Sequence, residues 1–161
     1  MNFDTLDSVR LAGFTGFLPP PELHRSNCSQ IPPLPGIYLV LRATSLPPQF
    51  TPLNRGGHFK GRDPTLPIST LQARWVPGTA VLYIGKTAGD LRERIGQYIK
   101  YGYGKRVSHE GGRLIWQLAD CDDLLLCWKE VVGTDPRVQE SMLLDEFVEQ
   151  YGRLPFANLH H

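Results

Sequence analysis

The chain has 161 residues, 41% of them hydrophobic and 20% charged, enough to bury one core and too few for two ordinary domains. No apolar run approaches the roughly 18 residues needed to cross a bilayer, and the composition excludes a disordered polyelectrolyte. The net charge of +1 conceals a division: up to Ala119 fourteen Lys and Arg outnumber seven Asp and Glu, while from Asp120 onward nine acids outnumber three bases. A basic majority beside an acidic minority suits a surface that holds a polyanion next to a site that holds a cation. The N-terminal MNFDTLDSVR lacks a basic segment followed by an apolar one, so no signal peptide is expected and the chain reads as cytoplasmic, with no membrane partner. Cys28, Cys121 and Cys127 cannot all pair and show no C-x-x-C spacing, which speaks against a disulfide scaffold and a zinc site. His160 and His161 are read as the remains of an affinity tag rather than as a ligand pair.

Twelve of the 14 prolines fall at or before Pro77, so long helices are not expected there. Residues 1–35 read as a short helical or irregular arm, with Phe14 and Phe17 covering part of the core. PGIYLVLRA, entered through Pro35-Gly36, predicts a strand of about eight residues. Residues 45–79 form a Pro-, Gly- and Thr-rich insertion that is expected to pack Phe50, Leu71 and Trp75 on the domain; a loop of that length is more often functional than not. A second strand, AVLYIGKT at 80–87, leads through Gly89-Asp90 into the helix LRERIGQYIKYG, whose Leu91, Ile95, Tyr98 and Ile99 make the buried stripe. A third strand spans 123–132, and Thr134-Asp135-Pro136 starts a last helix closed by Gly152. The order β, insertion, β, α, β, α predicts one α+β domain over residues 1–161, with a small, mostly antiparallel three-stranded sheet flanked by helices.

On the last helix, Leu143, Leu144, Phe147, Val148 and Tyr151 define one apolar face, and at 100° per residue Glu140 points to its middle while Glu146 and Glu149 point away. A carboxylate centred on a buried stripe needs a cation, a metal or strong donors. Each of the two central strands carries a tyrosine in a compact apolar setting, Gly36-Ile37-Tyr38 in the first and Tyr83-Ile84-Gly85 in the second. Arg94 follows on the next helix, Glu140 on the later one, and Asn158 closes RLPFANL. This ordered set resembles the GIY-YIG nuclease superfamily over residues 36–158, the insertion excepted. Arg92 competes with Arg94 but sits off the apolar stripe, and Glu146 competes with Glu140 on spacing but not on direction.

The resemblance implies a DNA endonuclease in which Glu140 holds one divalent ion, Mg²⁺ or Mn²⁺, and Arg94 meets the non-bridging phosphate oxygens with its planar fork. It further implies that Tyr38 positions or deprotonates the attacking water with Tyr83 as its partner, that Tyr98 lies where family members touch the phosphate, and that Asn158 fixes the geometry. A free tyrosine has a pKa near 10, and Lys86, three residues after Tyr83, is the nearby cation expected to favour phenolate. Lys100, Lys105 and Arg106 form a basic stretch along the expected DNA path, with His109 and Arg113 as a second phosphate-binding pair. The large insertion, with Arg55, His58, Lys60, Arg62 and Arg74, is most similar to restriction members, which cut both strands as homodimers; repair and mobile-element roles are the competing pathways. The alternative from another class is a non-catalytic nucleic-acid-binding module that keeps the fold.

Overall fold

The computed structural model describes residues 1–109 and 111–161. Four strands form one antiparallel sheet in the order β1-β4-β2-β3: β1 (Thr15–Leu18), β2 (Gly36–Leu41), β3 (Val81–Thr87) and β4 (Leu125–Glu130). The three-stranded expectation is therefore corrected to four within the α+β class. The additional strand lies in the segment read as an arm, where four residues containing Gly16 and a positive-φ Phe17 carry no alternation of burial to reveal them. Gly16 is bare because a Cβ there would stand 2.4 Å from the Trp128 ring.

All six residues of β2 are buried, as a central strand covered on both faces requires. Tyr38 and Val40 face a core shared with Leu126 and Trp128, which helices α2 (Pro20–Arg25) and α4 (Leu91–Gly102) and part of the insertion cover. Ile37, Leu39 and Leu41 face the opposite core, which contains Leu144 and Phe147 of α5 (Pro136–Tyr151) and Phe3, Val9 and Phe14 from the N-terminal residues; Val9 belongs to α1 (Leu6–Leu11). The two long helices begin and end where the sequence predicts. Asp90 accepts from the Glu93 N–H, Asp135 accepts from the Arg137 N–H ahead of Pro136, and Gly152 closes α5 at φ 73°.

The insertion is pinned rather than loose. It holds a 3-10 turn at Phe59–Gly61 and α3 (Ile68–Arg74), and it packs the fully buried Leu71 and the partly buried Phe50 and Trp75 on the core. Buried Gln117, at the end of the 3-10 turn Arg113–Gln117, donates to Thr51 O (3.1 Å) and Leu66 O (2.8 Å) and accepts from the Leu66 N–H (3.0 Å). Asn54 donates to Arg113 O at 2.9 Å. Replacing Gln117 by Leu strands three backbone groups of the insertion, so urea unfolding should show a loss of about 2 kcal/mol or more; a change within about 0.5 kcal/mol would mean that the clamp is dispensable.

Candidate active site

The antiparallel register of β2 and β3 sets Tyr38 opposite Gly85. A Cβ at position 85 would stand 2.5 Å from Tyr38 Cζ and 2.7 Å from Tyr83 Cε1, so the two rings occupy the space that this glycine leaves. Tyr98, one turn beyond Arg94 on α4, completes a cluster whose ring centroids lie 5.8 Å (Tyr38–Tyr83), 6.4 Å (Tyr38–Tyr98) and 6.3 Å (Tyr83–Tyr98) apart. Residues 111–112 close the cluster from outside. A Cβ on Gly111 would meet the Tyr83 hydroxyl at 2.4 Å, and Gly112, at φ 71°, accepts from Tyr98 Oη at 3.3 Å.

Burial pushes the pKa of all three phenols above the usual 10, Tyr83 and Tyr98 well above it. Arg94 pulls Tyr38 and Tyr83 back down, and Glu140 pushes both up. The Tyr38 hydroxyl, fully buried, has no hydrogen-bond partner among the described residues; Arg94 and Tyr83 face it at longer range. His109, expected to bind phosphate beside Arg113, is instead 1% exposed, its ring 5.0 Å from that of Tyr98, and burial followed by Arg94 lowers its pKa to about 3.

The cleft itself, about 280 Å³, opens over the rim of β3 and is lined by Tyr83, Lys86, Arg113, Glu140 and Asn158, with Gly111 and the final histidines at its edge. Lys86 alternates to the face opposite Tyr38 and donates to Glu140 Oε2 at 2.6 Å. The cation beside the phenols is therefore Arg94, not Lys86. Glu140 is partly exposed, its side chain at 18%, because the cleft opens over it between the buried Pro136 and Leu144 of α5. Glu146 instead pairs with the N-terminal ammonium, and Arg92 donates to Ile31 O and Ser29 O, both away from the cleft. Asn158 acts as a short false strand: it accepts from the Ile84 N–H at 2.9 Å and donates to Ile84 O at 2.8 Å, beside the Ala157 N–H to Leu82 O bond at 2.9 Å. Of the insertion's cations, Arg55 is spent on Asp122 and Gly102 O, and Arg74 on Phe156 O and Asn158 O. Lys100, Lys105 and Arg106 are exposed, and Lys100 and Lys105 border a separate cavity between α2 and α4.

Among the described residues no group of three or more His, Cys, Asp or Glu gathers to hold a metal. Among the described residues Glu140 is the one carboxylate that lines the cleft, its Oε2 engaged by Lys86, with the imidazoles of His160 and His161 at the edge and His161 turned to Asp145. Such a set fits a hard cation held chiefly by water and substrate oxygens, as Mg²⁺ prefers, and not a protein-caged transition metal. Compared with known protein families, with curated proteins and with solved structures, the chain matches none of them.

Two expectations follow. Asn158→Ala leaves the buried Ile84 N–H and C=O unpaired and should cost about 2 kcal/mol, with amide exchange at Ile84 accelerated; protection at Ile84 equal to wild type would contradict the false-strand role. Because their folded pKa values lie above the unfolded value of 10, Tyr38, Tyr83 and Tyr98 contribute stability that is fully present below pH 10 and lost as pH rises above it. Absorbance at 295 nm should show these three phenols ionising only with alkaline unfolding; reversible titration of all six tyrosines in the folded protein would refute it.

Proposed function

We propose that the protein is a metal-dependent DNA endonuclease of the GIY-YIG type, which hydrolyses phosphodiester bonds. The reading is carried by one observation. Tyr83, Lys86, Glu140 and Asn158, which come from strand, helix and C-terminal segment, line one cleft with Arg113, and Arg94 is close enough to Tyr83 and Tyr38 to lower the pKa of both.

In this reading Arg94 and Arg113 bind the phosphate. Neither has a carboxylate partner among the described residues, so both guanidinium forks are free to meet non-bridging oxygens. Glu140 would hold a divalent cation such as Mg²⁺ or Mn²⁺, which would supply positive charge to the phosphate and to the departing 3′ oxygen. Lys86 holds the Glu140 carboxylate in place and shares its charge. Tyr38 and Tyr83, protonated at neutral pH, orient the attacking water through their hydroxyls, with Arg94 as the cation that eases loss of a phenolic proton. Tyr98 supports the other two rings from beneath. Lys100, Lys105 and Arg106 extend the positive surface along which the strand runs. Arg55 and Arg74 are committed to the fold, so Lys60 is the insertion's cation proposed to meet DNA.

The test is cleavage of plasmid and linear DNA in Mg²⁺ or Mn²⁺, beside Arg94→Ala and Glu140→Ala. Each substitution should lower turnover about a hundredfold or more, and discrete fragments would assign restriction rather than repair. Activity that survives both substitutions rejects the site. DNA binding that is unchanged by chelator, with no cleavage in any metal, would assign the non-catalytic module instead.

A further inference from the structure

A cavity of about 360 Å³ lies between α2 and α4 and shares no lining residue with the cleft over β3. Its size falls within the roughly 300–1,000 Å³ of small-ligand sites. Leu23, Cys28, Ile99 and Val107 give it apolar walls, and burial pushes the Cys28 thiol up to about 11, so that it stays uncharged and serves as apolar surface. Gly96 keeps part of the lining open. It lies in the middle of α4, where glycine is less favourable than alanine, and no positive φ requires it there. Close packing does not require it either: a Cβ at this position would meet nothing beyond its own helix within 4 Å, whereas a Cβ on Gly102 of the same helix would strike the Trp116 ring at 2.3 Å. What the bare position 96 provides is space in the cavity.

The polar groups around this space are free of partners. Lys100 and Lys105 are exposed and share one rim, because the Lys105 N–H returns to Lys100 O at 3.0 Å after α4 ends. Among the described residues neither ammonium has a carboxylate partner, the Asn27 amide makes no side-chain hydrogen bond, and no carboxylate lines the cavity. His24 borders the same space, its ring stacked on that of Tyr103 with centroids 3.9 Å apart and planes 5° apart.

We propose that this cavity binds a nucleotide, with the base in the apolar space over Gly96 beside the His24 ring and the phosphate on Lys100 and Lys105. The lining selects this class. Two ammoniums without a carboxylate call for an anion, and the walls call for an apolar body. Asn27 offers both a donor and an acceptor to the edge of a base, and His24 is a flat ring already held in place by Tyr103. An alkyl carboxylate would fill the apolar space but cover the amide and the imidazole without answering them. The nucleotide comes either from solution or from an unstacked position of a nucleic-acid strand, and the recognising chemistry is the same. The site does not rest on the nuclease reading, since none of its parts belongs to the cleft.

Deoxyadenosine monophosphate, titrated into isotope-labelled protein, should shift the backbone amides of residues 23–28, 96–100 and 105–107 and leave those around Glu140 unmoved. In Gly96→Leu, whose side chain enters the open space, affinity should fall about tenfold or more, while the melting temperature holds or rises because glycine leaves the helix. Replacing Lys100 and Lys105 together by Ala should weaken the monophosphate and leave deoxyadenosine, which lacks the phosphate, unchanged. A single-stranded oligonucleotide that shifts the same amides and competes with the monophosphate assigns the strand as source; monophosphate binding without such competition assigns a free nucleotide. Absence of these shifts with both probes, octanoate binding more tightly than the monophosphate, or wild-type affinity in Gly96→Leu overturns the proposal. If Gly96→Leu loses stability together with affinity, the lysine variants decide, because their side chains are exposed: equal weakening of monophosphate and nucleoside, or of neither, overturns it. None of these readouts requires cleavage, so a protein that cuts no DNA ends the nuclease reading and leaves this site to its own test.

Discussion

The candidate site depends on an absence, the missing side chain at Gly85. Because β2 and β3 run antiparallel with Tyr38 opposite this glycine, the Tyr38 ring lies across β3 and meets Tyr83 from the same strand. Any Cβ there would collide with both rings, and backbone atoms of a central sheet cannot yield enough to admit it. The remaining parts of this face are fitted to the pair. Tyr98 fills in from α4, and Gly111 and Gly112 bring a backbone segment close enough to cover the two outer rings. The result is a set of phenols removed from water, which raises their pKa and keeps them protonated. The same close packing that builds the cluster therefore limits its chemistry to hydrogen bonding unless Arg94 or a ligand supplies compensating charge.

Charge is distributed across the sheet rather than within one face. Arg94 stands with the tyrosines on the α4 side, while Lys86 and Glu140 stand on the α5 side, and the cleft at the rim of β3 is where the two sides communicate. An edge strand suits that purpose because it is open on one flank, but its unpaired backbone is a liability. The C-terminal segment removes the liability over two residues only, through Ala157 and the paired bonds of Asn158 to Ile84, and leaves the rest of the rim for the cleft. The near-zero net charge is the sum of a basic excess before Ala119 and an acidic one after it, and the fold joins the two through Arg42–Asp120, Arg55–Asp122 and Lys86–Glu140.

How far this could be read in advance depended on whether a residue's role was local. The caps Asp90, Asp135 and Gly152, the helix of Arg94 and the paired GIY and YIG strands follow from nearest-neighbour chemistry, and the helices begin and end as that chemistry dictates. The strand Thr15–Leu18 was hidden because Gly16 serves a packing contact with Trp128, more than a hundred residues away, and Phe17 sits at positive φ. Helical pitch puts Glu140 on the face of Leu144, yet pitch does not tell that a cleft opens there, so its partial exposure and its pairing with Lys86 were not legible. His109 offered one usable signal, the Gly111-Gly112 pair after it. Two consecutive glycines announce a backbone that must approach something closely, and here that object is Tyr83 and Tyr98.

The insertion packs Phe50, Leu71 and Trp75 on the domain as its sequence predicts, but its polar contacts were not legible. Its prolines, glycines and threonines look like a flexible loop, but its polar backbone groups are answered by buried amides: Gln117 takes Thr51 and Leu66, and Asn54 takes the carbonyl of Arg113. Arg74 at the end of α3 reaches the carbonyls of Phe156 and Asn158, so the insertion also braces the segment that closes the rim of β3. Two walls of the cleft, the Arg113 turn and the Asn158 segment, are consequently held from the same thirty-five-residue stretch. Buried amide networks of this kind are stiff because each lost bond strands a backbone group. The Arg113 turn and the Asn158 segment therefore hold their places against each other through the insertion, from Asn54 at one end and Arg74 at the other.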